Sequence, residues 1–141
     1  MEILRFEQLD YVLRMPKGYE KGQKYPLVIY LHGAGGRGRD INLIYTHPFF
    51  KETQPWLEGA VSIAPQCYAD TWFNIFEQLQ AFIDYARGWE FVDNTRVYLV
   101  GASMGGYATW QMLDNAHPQT MGINFLTHSY LLIKPSRSHR W

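Results

Sequence analysis

The stretch Val97-Tyr98-Leu99-Val100-Gly101-Ala102-Ser103-Met104-Gly105-Gly106 places a short apolar run directly before a Gly-x-Ser-x-Gly sequence. Apolar and aromatic residues follow it, namely Tyr107, Ala108, Trp110, Met112 and Leu113. A strand, a tight glycine turn and a helix in this order are the context that a nucleophile elbow requires. The stretch therefore predicts a buried strand that ends near the serine and a helix that begins right after it.

Gly101 and Gly105 each lie two residues from Ser103. So tight a turn strains the serine backbone and holds its hydroxyl clear of the sheet, and it has room only where the flanking residues lack side chains. The helix that follows directs unpaired amide groups toward the same point, so the Met104 N–H can donate to a developing oxyanion. Ser103 is therefore the candidate nucleophile, and Met104 is a candidate oxyanion-hole donor.

Two earlier runs, at 27–31 and 60–64, share the apolar profile of a strand buried on both faces. A further strand is expected at 9–15. Between 64 and 97, apolar residues recur at three- and four-residue steps and predict an amphipathic helix that packs on the sheet. Its apolar face, in the core of the protein, would consist of Phe73, Phe76, Leu79, Phe82, Ile83 and Ala86. Strands that alternate with helices predict a single α/β domain over 1–141, a three-layer α/β/α sandwich with a mostly parallel sheet.

The segment Leu31-His32-Gly33-Ala34-Gly35-Gly36 follows the strand at 27–31. Its glycines let main-chain amides approach a substrate without obstruction by side chains, so the Ala34 N–H is the second candidate oxyanion donor. His32, Gly33 and Gly35 are expected to belong to the substrate-binding part of this loop. We expect His32 to support the loop rather than to take protons.

These segments resemble the α/β-hydrolase superfamily over about residues 10–118, specifically the small esterases and predicted peptidases related to phospholipase/carboxylesterases and dienelactone hydrolase. The resemblance is carried by the glycine loop at 32–36, by Trp72-Phe73-Asn74-Ile75, which is similar to the Trp-Phe-Asp-like start of a family helix, and by the elbow at 101–106. It implies acyl transfer without a cofactor: Ser103 attacks an ester, thioester or amide carbonyl, a histidine takes its proton, and an acid orients the histidine. It also implies that Trp72 lies beside the site and binds substrate.

The sequence departs from this pattern after the serine. In this fold the acid and the histidine of the triad follow the nucleophile. The sole acid after Ser103 is Asp114, which an α-helix would place about 16 Å away along its axis. His117, His128 and His139 follow, without a suitably placed acid. Neither the base nor the acid of a triad can be named from the sequence.

Residues 115–141 contain no Asp or Glu. We therefore interpret 119–141 as an atypical tail and the chain as a fragment or frame-shifted product of the family. Such a fragment would leave a sheet edge exposed, which predicts self-association.

The remaining composition excludes several classes of function. Thirteen Lys and Arg balance thirteen Asp and Glu, and their scatter argues against a nucleic-acid or membrane surface. Cys67 is the single cysteine, so no internal disulfide is expected, and no pattern of metal ligands stands out. The N-terminus lacks the features of a signal peptide and no apolar run reaches about 20 residues, so a cytoplasmic location is expected by default.

Two alternative functions and two local structural predictions remain to be stated. The segment 33–38 also fits Gly-x-Gly-x-x-Gly, which would indicate a dinucleotide-binding module, although Pro65 rather than an acid follows the next strand. The chain could instead be a catalytically inactive relative of the same fold. The segment 45–50 is a candidate loop over the cleft, and Asp40 a candidate helix N-cap.

Overall fold

The computed structural model describes residues 1–114 and 123–128. The strands are β1 (Glu2–Phe6), β2 (Leu9–Arg14), β3 (Tyr25–Leu31), β4 (Val61–Pro65), β5 (Val92–Ala102) and β6 (Ile123–His128). The α-helices are α1 (Asn42–Tyr45), α2 (Pro48–Glu52), α3 (Gln54–Leu57), α4 (Phe76–Arg87) and α5 (Met104–Asp114). Two short 3₁₀ helices lie at Ala34–Gly36 and Trp72–Ile75.

The six strands form one sheet in the order β1-β2-β4-β3-β5-β6. The four strands β4, β3, β5 and β6 are parallel to one another, whereas β2 pairs antiparallel with both β1 and β4. Parallel neighbours require crossover connections. Helices α1–α3 connect β3 to β4, and α4 connects β4 to β5. The predicted mostly parallel sheet is confirmed.

Both faces of the central strand β3 are buried. Alternate residues of a strand point to opposite sides of the sheet. Leu27, Ile29 and Leu31 accordingly belong to the apolar cluster that also contains the buried residues of α4 and α5, which we call the first face. Val28 and Tyr30 belong to the cluster that contains buried residues of α1 and α2, the second face. The sheet therefore lies between two helical layers, which confirms the three-layer α/β fold.

Helix α4 lies where the apolar spacing predicts it. Its buried residues are Leu79, Phe82, Ile83 and Ala86. Phe73 precedes the helix in the 3₁₀ turn and is 49% exposed, so its predicted place in the core is wrong. Phe76, the first residue of α4, is half-buried. The 3₁₀ helix has three residues per turn instead of 3.6, so Phe73 does not lie on the same face as the buried residues of α4.

Two strands were not predicted. β1 has four exposed residues out of five, so it lacks the continuous buried run of the central strands; it is held by antiparallel pairing with β2 and by the packing of Phe6 on the core. β6 falls within the segment that composition assigned to an atypical tail, yet it pairs parallel with β5. The strand shows that 123–128 joins the sheet, while the interpretation of 119–141 as an atypical tail stays a prediction from composition. The other residues of 119–141, including His139, lie outside the described residues, as does His117.

The segment at 45–50 is a packed element rather than a loop over a cleft. It contains the end of α1 and the start of α2. Phe49 and Phe50 are buried on the second face, and Phe49 stacks on Tyr30 with ring centroids 4.3 Å apart. Asp40 accepts a hydrogen bond from the Asn42 amide at 3.1 Å, but the N-cap of α1 is Ile41, so the prediction of Asp40 as the N-cap is off by one residue. No helix in the described residues is both long and apolar enough to span a bilayer.

Candidate active site

Ser103 stands alone between the end of β5 and the start of α5. Its φ is 53°, in the left-handed region that costs a residue with a Cβ about 1–2 kcal/mol. The residue is exposed. The turn from strand to helix therefore holds the serine in a strained conformation at the carboxyl edge of the sheet, where its hydroxyl is accessible.

The flanking glycines are required by close backbone contacts. A Cβ on Gly101 would lie 2.2 Å from the Gly105 carbonyl oxygen and 2.4 Å from Thr109 Oγ1. A Cβ on Gly105 would lie 1.9 Å from the Leu31 carbonyl oxygen. The first turn of α5 therefore packs directly against the end of β3, and this contact places Ser103 beside the loop that follows β3.

The glycine loop reaches Ser103 through Gly33. A Cβ on Gly33 would lie 3.4 Å from Ser103 Cβ and 3.9 Å from Ser103 Oγ. After Gly33 the chain turns into the 3₁₀ helix, in which the Gly36 amide donates to the Gly33 oxygen at 3.1 Å. The first amides of a helical turn have no acceptor within that turn. The N–H groups of Ala34 and Met104 therefore donate no hydrogen bond within their own helices. Met104 follows Ser103 in the chain, and Ala34 follows Gly33, which lies beside Ser103.

His32 lies beneath this loop and is only 1% exposed. Its Nε2 accepts a hydrogen bond from the Cys67 amide at 2.9 Å, and its Nδ1 lies 2.5 Å from the Gly33 oxygen. Because an amide N–H can only donate, the ring proton is on Nδ1. Burial lowers the pKa of His32 to about 4. The imidazole is therefore neutral near pH 7, with both nitrogens engaged by the backbone.

Trp72 is fully buried against the same histidine. Its Nε1–H donates to the His32 carbonyl oxygen at 3.0 Å, and the two ring centroids are 5.0 Å apart. The expectation that the His32 and Trp72 side chains bind substrate is corrected by this burial: both support the loop from below. Gly33 is half-buried and Gly35 is exposed, so this part of the loop can still meet a ligand.

Sequence reasoning missed a second loop, residues 66–72, that holds the glycine loop in place. The buried Gln66 donates from Nε2 to the carbonyl oxygens of Gly36 and Asp40, both at 2.9 Å. Arg37 donates to the Ala34 and Asp70 carbonyl oxygens at 3.0 and 3.1 Å. The signal in the sequence was a polar residue, Gln66, directly after a buried strand.

Neither histidine with a described side chain is placed to take the Ser103 proton. His32 is engaged at both nitrogens. His47 belongs to the second face, where its ring centroid lies 5.1 Å from that of Tyr30 and its Nδ1 accepts from the Phe49 amide at 3.0 Å as the N-cap of α2. His128 ends β6, and its backbone pairs with Ala102. The triad base is therefore not among the side chains that the structure describes.

The dinucleotide-binding alternative depends on the loop at 33–38 and on the residues after β4. The loop at 33–38 leads into a three-residue 3₁₀ helix instead of the long helix that would receive a pyrophosphate. β4 ends at Pro65, and Gln66 and Cys67 follow it without an acid for a ribose. A dinucleotide-binding module does not fit this geometry.

Comparison with solved structures gives esterases. A thermostable esterase superposes with a TM-score of 0.62 and 29% sequence identity, covering 84% of this chain and 38% of its own. Esterase 2 of Thermogutta terrifontis, a Planctomycetes species, with butyrate bound superposes with a TM-score of 0.56 at 14% identity, covering 74% and 39%. Its paraoxon-phosphorylated form gives 0.57 at 13% identity, covering 74% and 42%.

The chain thus spans about two fifths of the length of these esterases. No protein-family profile and no curated protein sequence matches it. The chain has an α/β-hydrolase fold of the kind found in esterases, as the resemblance of its motifs implies.

Proposed function

We propose that this chain carries the nucleophile and the oxyanion-binding loops of a serine hydrolase that acts on carboxylic esters. The observation that carries the proposal is Ser103, exposed with a left-handed φ of 53° at the end of a central parallel strand, beside a glycine loop. One of the similar structures is an esterase phosphorylated by paraoxon and another holds butyrate. Thioesters and peptides share the same carbonyl chemistry and rank behind esters because the similar structures are esterases.

The reaction would proceed through an acyl-enzyme on Ser103. Its Oγ attacks the carbonyl carbon while a base takes the hydroxyl proton, and the N–H groups of Ala34 and Met104 donate to the resulting oxyanion. The alcohol leaves with a proton, and water then hydrolyses the acyl-serine ester. Each oxyanion donor of this kind contributes about 3–4 kcal/mol to the transition state. The step needs no cofactor.

The base and the acid are the open part of the proposal. His117, His128 and His139 are the histidines of the chain other than His32 and His47. Because no base is found among the described side chains, a catalytically inactive relative of the same fold is the second candidate. Self-association through the sheet edge at β6 and a cytoplasmic location are further proposals, which rest on the topology and on the default expectation from the sequence.

The test uses the 141-residue chain with p-nitrophenyl butyrate as substrate and paraoxon as a probe of serine reactivity. We expect release of p-nitrophenol and, by peptide mass spectrometry, a phosphoryl adduct on Ser103. The matched control is Ser103→Ala, which keeps the backbone and removes only the hydroxyl. A cooperatively folded chain with neither turnover nor an adduct would contradict the proposal and favour the inactive relative.

A further inference from the structure

One peptide unit links His32 to the proposed oxyanion hole. The Gly33 carbonyl oxygen receives the Nδ1–H of His32 at 2.5 Å and the Gly36 amide at 3.1 Å. That carbonyl and the Ala34 N–H belong to the same planar unit, which is trans because the described chain has no cis peptide. In a trans peptide the N–H points opposite to the C=O. Fixing the Gly33 oxygen toward His32 therefore directs the Ala34 N–H away from it.

The imidazole is held so firmly that it can fix this direction. Its Nε2 is bound by the Cys67 amide, and the Trp72 indole packs beside it. On the loop side a Cβ on Gly36 would lie 2.6 Å from His32 Nδ1, so the loop backbone rests directly on the ring. A ring confined in this way has one tautomer and one orientation. The Cys67 amide sets the tautomer, and the Trp72 indole and the Gly36 backbone hold the orientation.

We propose that His32 is a positioning residue for the oxyanion hole, orienting and polarising the Gly33–Ala34 peptide so that the Ala34 N–H is presented beside Ser103. This inference rests on the proposed function. Hydrogen bonds accepted by a carbonyl polarise its peptide and strengthen the N–H on the other side as a donor, by about 10–30% per bond. His32 thus acts without exchanging a proton with the substrate.

Two substitutions separate the hydrogen bond that His32 donates to Gly33 from the one that it accepts from Cys67. In His32→Asn the side-chain amide lies near the former Nδ1, so it can donate to the Gly33 oxygen but is too short to reach Cys67. In His32→Gln the terminal carbonyl can accept from the Cys67 amide, while the donor to Gly33 is lost. The control is Ser62→Ala, which removes a buried hydroxyl that accepts from Arg14 at 3.3 Å, away from the loop.

The first readout is kinetic. A donor that acts on the oxyanion affects the transition state more than the ground state. We expect His32→Gln to lower kcat for p-nitrophenyl butyrate at least about tenfold with little change in KM, because a fully removed donor costs about 10²–10³. His32→Asn should keep most of kcat, and Ser62→Ala all of it. Equal losses in the two folded His32 variants would overturn the proposal.

The second readout does not depend on activity, so it separates this inference from the proposed function. In the ¹H–¹⁵N spectrum the Ala34 amide should shift in His32→Gln and stay near its wild-type position in His32→Asn and Ser62→Ala. An unmoved Ala34 amide in His32→Gln would overturn the proposal even in an active enzyme. If neither variant folds, the wild-type imidazole ¹⁵N shifts decide: a proton on Nδ1 supports the proposal and a proton on Nε2 refutes it.

Discussion

Replacement of Gly105 by alanine tests the closest contact in the site. The added Cβ would lie 1.9 Å from the Leu31 oxygen, 2.5 Å from the Leu31 carbonyl carbon and 2.8 Å from the His32 oxygen. Ordinary van der Waals contact begins at 3.4 Å, so α5 would have to move about 1.5 Å from the end of β3. All three atoms are backbone atoms, at the end of a central strand, and cannot move aside as a side chain would.

Overpacking of a core costs about 1–3 kcal/mol and occasionally more. Because this contact is with backbone, we expect Gly105→Ala to lower the free energy of unfolding by about 3 kcal/mol or more. With a urea m-value of about 1–3 kcal/mol/M, the unfolding midpoint should fall by roughly 1–3 M. Activity should fall further, since a misplacement of about 1 Å can cost about 100-fold.

The assay is urea unfolding followed by circular dichroism, with Gly59→Ala as the matched control. A Cβ on Gly59 would have no atom within 4 Å, and its backbone does not require glycine. This control should unfold near the wild-type midpoint. If Gly105→Ala unfolds there as well, α5 does not pack on β3 as described, and the placement of Ser103 beside the glycine loop loses its basis.

Three further predictions concern Ser103, His32 and Trp72. Ser103→Gly and Ser103→Ala both remove the hydroxyl, but Ser103→Gly should be more stable by about 1 kcal/mol, because only glycine adopts a φ of 53° without strain; equal urea midpoints would argue against strain in the elbow. Since burial lowers the pKa of His32 to about 4, the unfolded state binds its proton first as the pH falls. The contribution of neutral His32 to the free energy of unfolding is complete above about pH 6.5 and is lost as the pH falls. Relative to His32→Gln, the free energy of unfolding should therefore be lower by about 3 kcal/mol at pH 4 than at neutral pH; parallel pH profiles of unfolding for the two proteins would refute this. Trp72→Phe removes the hydrogen bond to the His32 oxygen and should cost about 0.5–1.5 kcal/mol in chemical denaturation, whereas an unchanged midpoint would mean that the bond does not contribute.

The sequence predicts the elbow and the parallel strands because both depend on local requirements. Glycines such as Gly101 and Gly105 are needed where a strand turns directly into a helix, because the backbones of the two elements are in contact. A strand such as β3 that is buried on both faces has a continuous apolar run. The exposed β1 has no such continuous run; it is placed by backbone pairing with β2 and by the ring of Phe6, which packs against Phe82 and Tyr85. The sequence does not predict β6, because the acid-free composition of 115–141 indicates an atypical tail rather than a strand of the sheet.

The side chains near the site were harder to predict. Nothing in the sequence shows on which side of the glycine loop His32 and Trp72 lie, because their burial depends on the loop at 66–72 and its distant contacts. Phe73 was assigned to the core because helical spacing was extended through a 3₁₀ turn. The base and the acid could not be predicted, since the family places them after the nucleophile in chain order, and the acid-free sequence there offers no matching pattern.

The two helical layers are unequal in their resistance to local opening. On the second face, α1, α2 and α3 have only four or five residues each, and Trp56 of α3 is 83% exposed. On the first face, α4 and α5 have twelve and eleven. Amide protons of α1, α2 and α3 should therefore exchange with deuterium earlier than those of α4 and α5. This exchange would occur through local opening that does not disturb the turn at Ser103. The second face can thus open locally while the turn at Ser103 keeps its shape.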